Sequence, residues 1–374
     1  MGNQSSKEYN LQEHGQVSRE LFDSYIADEK KFEDLSAKTV AITGTSTQSI
    51  GFHIAEIAIR KNAKVLMLCH RDSSSAKKGY EELVELAKEC NSKTDIKTVT
   101  CDLQDLESVK EAGKKINEIA SDGLDVMVCN AGVMALKDVR TKDGFEIQMQ
   151  TNQLSHFLLA SNVWPSIVKA AKTRGGARLV THSSSARYSP PSNLRKEYFM
   201  KCEPGTLGGD RFWAVTVLQA AGICDGPWQR YHQSKLANAN FAMEMHDKLQ
   251  SSGDETLKKI QANSADPGLA TSNLQVTTMN DGGMPSWLLK LLSRHGQSPA
   301  DGSLPIGLAA FGKDTKSGSF FQPEKDAAGP PIATVEEGAS TNKKGAEKLV
   351  VSPENKENIW KWCEEALDIK FSLE

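Results

Sequence analysis

The chain has 374 residues, 39% of them hydrophobic and 25% charged, with a formal net charge of −3 at neutral pH. This length can bury a substantial core, and the charge balance gives no basic face, so nucleic-acid binding is not expected. Seven scattered cysteines without CxxC spacing favour reduced thiols over disulfides or a metal site. No apolar run reaches the length of a membrane span and no cleavable signal sequence opens the chain, so we expect a cytoplasmic protein.

The first residues fit the pattern of N-myristoylation on Gly2, with a disordered polar tip as the alternative. One acyl chain gives only weak, reversible membrane binding, and residues 1–35 carry four basic and eight acidic groups, which an anionic leaflet would repel. We therefore expect at most peripheral membrane contact. Residues 1–35 form a predicted N-terminal arm, in which residues 16–33 predict a helix with an apolar stripe of Leu21, Phe22, Tyr25 and Ile26.

Thr39–Thr43 predicts a buried parallel strand that runs through a turn into a helix over 52–61. The backbone N–H groups at such a helix start are where a dinucleotide pyrophosphate binds, and an ordinary strand-to-helix loop is the alternative. The turn lacks a middle glycine, but its hydroxyl groups offer further donors. The predicted cofactor contacts in this turn are Gly44, Ser46, Thr47, Ser49, Ile50 and Gly51.

The second predicted strand, over 64–69, ends in His70-Arg71-Asp72. A basic residue at this position accommodates the 2′-phosphate of NADP, whereas an acidic one binds the ribose hydroxyl of NAD. Arg71, with His70 beside it, favours NADP(H) over NAD(H). Asp72 and the reading of Arg71 as a solvated surface residue keep the alternative open.

Helices and strands continue to alternate, with helices over 74–90 and 105–121 and strands over 96–100 and 124–129. This rhythm predicts an α/β fold, a doubly wound parallel sheet of the Rossmann type. Because ligands bind beyond the carboxyl ends of such strands, the residues that follow the third and fourth strands belong to the cofactor edge. These are Asp102, Leu103, Asn130, Ala131 and Gly132.

A helical segment over 145–172 contains Asn152 and is predicted to break at Pro165. The fifth strand, over 178–181, ends in three serines at 183–185, any of which either hydrogen-bonds a substrate carbonyl or merely forms a local turn. Residues 189–229 form a Gly- and Pro-rich insertion, of a kind that shapes or covers a site.

Tyr231 and Lys235 are four residues apart in a predicted helix, so their side chains leave the same face one turn apart. A fixed positive charge lowers the pKa of a phenol and makes it a better acid/base at neutral pH. A surface tyrosine and lysine that only share a helix are the alternative for this pattern alone.

A sixth strand is predicted over 260–265, followed at its end by the further cofactor candidates Pro267, Gly268 and Thr271. Residues 272–300 include an apolar segment, 284–292, which is either a substrate lid or a helix packed on the core. In the C-terminal extension, 313–374, we expect a loop over 323–345. Its last helix is capped by Ser352 and packs on the core.

Taken together, these marks resemble the short-chain dehydrogenase/reductase superfamily over about residues 36–312. The resemblance rests on Thr43-Gly44, Asp102-Leu103, Asn130-Ala131-Gly132, Asn152, the serines after the fifth strand, Tyr231xxxLys235 and Pro267-Gly268. Within it, residues 231–238 and 297–302 are similar to the branch that holds retinol dehydrogenases, WW-domain oxidoreductase and light-dependent protochlorophyllide reductase.

The resemblance implies that Tyr231 is the general acid/base and that Lys235 lowers its pKa and holds the nicotinamide ribose. Ser184 would bind the substrate oxygen, with Ser183 or Ser185 as alternatives, and Asn152 would bind a water in a proton relay. The implied activity is hydride transfer between NADP(H) and a carbonyl or alcohol, with a bulky, apolar substrate. The family also implies a homo-oligomer.

Two departures separate this chain from the family pattern. Gly44 and Gly51 are seven positions apart and either Gln48 or Ser49 replaces the middle glycine. The insertion also lengthens the segment between Ser184 and Tyr231. The substrate of a relative therefore cannot be assumed for this chain.

Two other functions are alternatives to the NADP(H)-dependent oxidoreductase. The first is a non-catalytic NADP-binding sensor or scaffold at membranes. The second is protochlorophyllide reduction, against which Ala237 stands where that family has a cysteine.

Overall fold

The structure, a computed structural model, describes residues 17–188, 192–210, 226–281, 283–284, 286–341 and 347–373. Gly2 and much of the insertion lie outside these residues. In the described part of the chain, nine strands form one sheet in the order β3-β2-β1-β4-β5-β6-β7-β8-β9. The strands are β1 Thr39–Thr43, β2 Val65–His70, β3 Asp95–Thr100, β4 Val126–Cys129, β5 Ala177–His182, β6 Ile260–Ala265, β7 Phe320–Pro323, β8 Pro331–Glu336 and β9 Ala339–Ser340.

Helices cover both faces of the sheet. They are α1 Glu20–Ala27, α2 Ile50–Arg60, α3 Ser74–Glu89, α4 Leu106–Ile119, α5 Ile147–Met149, α6 Ser155–Arg174, α7 Pro227–Ser251, α8 Asn273–Asn280, α9 Ser286–His295, α10 Pro299–Phe311, α11 Glu347–Val350 and α12 Pro353–Leu367. A π-helical turn, Gln150–Leu154, joins α5 to α6, and short 3₁₀ turns span Ser185–Tyr188, Lys196–Tyr198 and Leu257–Lys259.

Strands β1 to β7 are all parallel, which confirms the predicted doubly wound sheet. Every residue of β1 and β4 is buried, because helices cover both of their faces. Successive side chains of β1 enter opposite cores: Ala41 packs with α4, α6, α7 and α12, while Val40 and Ile42 pack with α1, α2, α3 and α10. The carboxyl ends of the strands therefore meet at one edge, with helix starts around them.

The predicted break at Pro165 is wrong, because α6 continues through this residue to Arg174. Pro165 is exposed, so the backbone group that it leaves without a helical partner faces water. The helix ends instead at Gly175, which has a φ of 84° and closes it in the left-handed conformation.

The predicted loop over 323–345 is also wrong, because it contains most of β8 and β9. Strand β7 pairs with β6 in parallel, whereas β8 and β9 add two antiparallel strands at the edge. The central sheet thus continues past residue 312, where the dehydrogenase domain was expected to end.

Both ends of the described chain pack against this sheet. Phe22 of α1 is fully buried, and its backbone N–H donates to Asp301 of α10 at 2.9 Å. Ser352 caps α12 as predicted by accepting from the N–H of Asn355, and Ile359 and Cys363 are fully buried. No helix in the described ranges is long and apolar enough to cross a bilayer.

Candidate active site

Helix α7 carries Tyr231 and Lys235 on one face, as their spacing predicts. Pro227 is its first residue, after Gly226 in a positive-φ conformation, so the helix starts one turn before Tyr231. Both side chains are buried, with 4% of Tyr231 and 2% of Lys235 exposed. The ammonium of Lys235 lies 5.8 Å from the centre of the Tyr231 ring and donates to the carbonyl oxygen of His182 at 2.8 Å.

Among the three serines after β5, Ser184 is the one whose hydroxyl acts on Tyr231. It accepts from the N–H of Ala186 at 3.3 Å and, as a hydrogen-bonding neighbour, lowers the pKa of Tyr231. The hydroxyl of Ser183 donates instead to the main-chain oxygen of Lys235 at 2.7 Å and is fully buried. Ser184 and Tyr231 thus present two adjacent hydroxyl groups, with Lys235 one turn farther along α7.

A cleft of about 300 Å³ runs along the carboxyl ends of the central strands and reaches Lys235. Most of the predicted cofactor residues line it. They are Gly44, Ser46, Ser49, Ile50, Gly51, His70, Arg71, Asp102, Leu103, Asn130, Ala131, Gly132 and Lys235.

A family profile described as short chain dehydrogenase matches residues 38–194. The short-chain dehydrogenase/reductase drtF of Aspergillus calidoustus is 28% identical over 343 residues, 89% of this chain and 94% of the relative. Human polyprenol dehydrogenase is 27% identical over 235 residues, 63% of this chain and 62% of that protein. A crystal structure of a protein from Mycobacterium paratuberculosis has the same fold, with a TM-score of 0.62 at 24% identity over 93% of this chain and 98% of that one.

The family profile and these relatives support the short-chain dehydrogenase/reductase superfamily as the family of this chain. The predicted superfamily and its Rossmann fold are therefore confirmed. Members of the superfamily are oxidoreductases that bind a nicotinamide cofactor, which accounts for a cleft at this edge of the sheet.

The glycine turn of this superfamily member differs from the usual form at an identifiable residue. Gln48 has a φ of 56°, in the left-handed region that glycine adopts most easily, whereas Ser49 caps α2 by accepting from the N–H of Phe52. Gln48 is therefore the residue in the unusual conformation. Gly51 must remain small, because a Cβ there would lie 2.3 Å from the carbonyl oxygen of Gly44.

Burial dominates the protonation of the catalytic pair. It raises the pKa of Tyr231, and the hydrogen bond from Ser184 opposes that shift. It also lowers the pKa of Lys235 to about 7, against the attraction of Asp266. Lys235, whose ammonium lies 5.8 Å from the centre of the Tyr231 ring, is not among the groups that lower the pKa of Tyr231 in this structure.

Asn152 lies in the π-helical turn, a rare distortion that is frequent at functional sites. Its side-chain amide donates to the oxygens of Val133 and Ser234, both at 2.9 Å, while its Oδ1 accepts from Val133 at 2.8 Å. Its main-chain oxygen accepts from His156 at 2.9 Å and from Asn238 at 2.7 Å. These hydrogen bonds tie the π-helical turn to the residues after β4 and to α7, and the water relay through Asn152 stays a prediction.

Five of the predicted cofactor residues do not line the cleft, and one of them is Tyr231, which packs in a buried apolar cluster instead. The hydroxyl of Thr47 donates to Glu82 at 2.5 Å, away from it. The carbonyl of Pro267 accepts from Gln297 at 2.7 Å, and Gly268, with a φ of 65°, packs closely on Ala327. The hydroxyl of Thr271 is buried without a partner. The turn directly after β6 packs on the residues around 297 and 327, and a cofactor contact there stays a prediction.

Several cleft residues were not predicted from the sequence. They are Cys69, Ser73, Ala76, Cys101, Gln104, Val133, Thr151, His182, Ser272, Leu274 and Thr277. His182 offered a signal, since it ends β5 directly before the serines. Its ring contacts the Oδ1 of Asn130 at 3.0 Å, and burial lowers its pKa well below the usual range.

The lining fits a dinucleotide cofactor. The hydroxyl of Thr151 and the Nε2 of His70 are buried without partners in the protein. Arg71 is exposed and has no ion pair among the described residues, and Ser73 caps the start of α3 beside it. Cationic and N–H donors at one end of the cleft and Lys235 at the other match the two ends of such a ligand.

The other side of Tyr231 is apolar. Its ring packs in a cluster with Met134, Ala135, Met284 and Leu289. Partly buried Ala186, Trp228, Leu274, Val276 and Met279 complete this cluster, which we call the apolar enclosure. Residues from the 272–300 segment thus pack against the candidate acid/base, which is the position expected of a lid.

Proposed function

We propose that this protein is an NADP(H)-dependent oxidoreductase that transfers hydride between the nicotinamide and a bulky, apolar carbonyl or alcohol substrate. The observation that carries the proposal is the placement of the Ser184 and Tyr231 hydroxyl groups next to each other, with Lys235 one turn away at the end of the cleft.

The bound nicotinamide supplies or accepts the hydride, and the residues around it handle the proton. Tyr231 gives its proton to the carbonyl oxygen during reduction, and its raised pKa keeps the phenol protonated for that role at neutral pH. Ser184 donates to the same oxygen, while Lys235 holds the ribose. Asn152 fixes the position of the loop after β4 relative to helix α7 through its hydrogen bonds to both.

The preference for NADP(H) rests on Arg71. Arg71 lines the cleft and has no ion pair among the described residues, whereas Asp72, the residue that would favour NAD, does not line the cleft. A planar guanidinium binds a phosphate group through two parallel hydrogen bonds.

The apolar substrate class rests on the enclosure around Tyr231. Its methionine and tryptophan side chains adapt to bulky hydrocarbon groups without offering polar partners. The name of the human relative, polyprenol dehydrogenase, describes a long isoprenoid alcohol as that protein's substrate. We propose long-chain or isoprenoid aldehydes and alcohols as the first substrates to test.

The proposal is tested by NADPH oxidation at 340 nm with a panel of short polar and long apolar aldehydes and ketones. Tyr231→Phe should lower turnover at least ~100-fold while NADPH binding is retained, because general acid catalysis is lost. Tyr80→Phe, on α3 and remote from Ser184, is the matched control. Binding of NADPH without turnover of any compound in the wild-type protein would favour the scaffold alternative.

We also propose that Gly2 is myristoylated, that this gives weak membrane contact, and that the protein is a homo-oligomer. Intact mass spectrometry of protein purified from a eukaryotic host would show the acyl group. Sedimentation with neutral vesicles, compared with Gly2→Ala, should give a small bound fraction that depends on acylation. Analytical ultracentrifugation would give the oligomeric state.

A further inference from the structure

We propose that Arg187 is a positioning residue for Ser184, and that Glu347 in the C-terminal extension holds Arg187 in place. The activity part of this proposal rests on the proposed function. Its structural part does not, because it concerns the turn that carries Ser184.

Arg187 holds the turn that follows β5 from both its backbone and its side chain. Its N–H donates to the carbonyl oxygen of Ser184 at 2.9 Å, and its Nη1 donates to the same oxygen at 3.2 Å. Within this turn the N–H of Ala186 donates to the hydroxyl of Ser184, which leaves the serine proton for Tyr231. The direction of the Ser184 hydroxyl therefore depends on the turn that Arg187 fixes.

The far side of the guanidinium is anchored by residues beyond position 312. Nη2 donates to Glu347 at 2.6 Å and to Gln322 at 2.5 Å, and the guanidinium carbon lies 4.2 Å from the ring centre of Phe320. Glu347 also accepts from the hydroxyl of Thr334 at 3.0 Å. Strands β7 and β8 and helix α11 thus form a socket for the side chain of Arg187, which belongs to the turn after β5.

The socket holds more negative charge than is needed to neutralise the guanidinium of Arg187. Arg187 also donates to Asp266 at 2.8 Å, so one cation serves two carboxylates, and all three side chains are at most 2% exposed. Buried ion pairs contribute little net stability, but they are sensitive to geometry. Two carboxylates on different sides of a planar guanidinium fix its orientation, which one would not.

Two variants test the proposal. Arg187→Lys keeps the charge but cannot donate to Ser184, Asp266 and Glu347 together, because a lysine has one compact ammonium. Glu347→Gln keeps a hydrogen-bond acceptor and removes one anchoring charge. The matched control is Arg174→Met, which breaks a partly buried pair with Asp125 at the amino-terminal end of β4, with distances of 2.7 and 2.8 Å.

We expect Arg187→Lys to lower kcat about 10- to 100-fold, because small misplacements of a catalytic group have effects of this order. The KM for substrate and the Kd for NADPH should change by no more than about threefold, since Arg187 lines neither site. Glu347→Gln should show the same pattern with a smaller loss. Hydrogen–deuterium exchange of the peptide over 183–188 should be faster in both variants and unchanged in Arg174→Met.

An unaltered kcat in folded Arg187→Lys, together with wild-type exchange over 183–188, overturns the proposal. So does an equal loss of kcat in Arg174→Met at matched thermal stability, which would show a general effect of destabilisation. If Arg187→Lys does not fold, Glu347→Gln decides by the same two measurements. If the wild-type protein has no turnover, the proposed function fails, and exchange alone decides the positioning role.

Discussion

Lys235 is a cationic side chain in surroundings that favour its neutral form. Burial lowers its pKa to about 7, and its ammonium has one recorded hydrogen-bond partner, the carbonyl oxygen of His182. Between this value and the unfolded pKa near ~10.4, the unfolded chain binds the additional proton. Stability should therefore rise with pH across this window, which places a cost on the folded protein at neutral pH.

Lys235→Met should therefore make the fold more stable at pH 7, by about 1–3 kcal/mol after allowing for the lost hydrogen bond, while turnover is lost. Urea unfolding between pH 7 and pH 9.5 is the measurement. The wild-type protein should gain stability over this range and the variant should not. Lys88→Met, an exposed control on α3, should leave both properties unchanged, and a destabilised Lys235→Met would contradict the argument.

Arg71 allows an equally local prediction about the cofactor. Arg71→Gln should weaken NADPH binding about 10- to 100-fold, because a charge-assisted hydrogen bond is lost, and leave NADH binding unchanged. Fluorescence titration with both nucleotides measures this difference. Asp72→Asn is the control, since Asp72 lies outside the cleft. Equal weakening of both nucleotides would show that Arg71 does not contact a 2′-phosphate.

At the scale of single residues, the sequence predicted which candidate site residues come together better than it predicted their individual hydrogen-bond partners. Tyr231, Lys235 and Ser184 come together because helical spacing and strand ends are set by backbone geometry. The partner of Thr47 could not be predicted, because Glu82 reaches it from a different helix, 35 residues away. The pKa of Tyr231 depends on how deeply the ring is buried, which only the packed structure reveals.

At the scale of elements, α6 shows a helix that tertiary packing maintains against a local preference. Pro165 lacks the N–H that the carbonyl of residue 161 would accept, and yet α6 continues because its other face is buried along its length. The rule that proline ends a helix fails here for this reason.

Pro165→Ala should restore the missing hydrogen bond and stabilise the protein by about 1 kcal/mol or more, with activity unchanged. Thermal and urea unfolding would measure the gain. Lys172→Ala, an exposed substitution on the same helix, should stay within about 0.5 kcal/mol of the wild type. A loss of stability in Pro165→Ala would mean that the ring itself packs usefully at the surface.

The strands show the same division between local and non-local information. Strands β1 to β6 were found within two residues of their ends. Most of them are buried on both faces, whereas β3 is a mostly exposed edge strand. Strands β8 and β9 were missed because they lie at the sheet edge, where prolines and glycines are tolerated. Val335 of β8 and its neighbours on β7 hold this edge against the core. A sequence pattern does not reveal such pairing.

At the scale of the whole molecule, the C-terminal extension is part of the fold that carries the site. Strand β7 covers the edge of β6, while Ile359, Trp360 and Cys363 of α12 complete the core beneath α6 and α7. The ring of Trp360 stacks on Phe371 at 5.0 Å and 26°. The dehydrogenase domain expected over 36–312 would lack β7, α12 and Phe371.

A chain that ends at residue 312 should therefore fail to fold. It would expose β6 as a bare edge and lose the buried side chains of Ile359, Trp360 and Phe371, each worth about 1.5–3 kcal/mol, and it would leave Arg187 without Glu347. These losses approach the whole stability of about 5–15 kcal/mol that is usual for a domain. Size-exclusion chromatography, near-UV circular dichroism and ANS fluorescence, compared with residues 1–374, should show aggregated or molten protein. A cooperative melt of the shorter chain would instead show that the sheet up to β6 is independently stable, and would limit the extension to holding Arg187 in place.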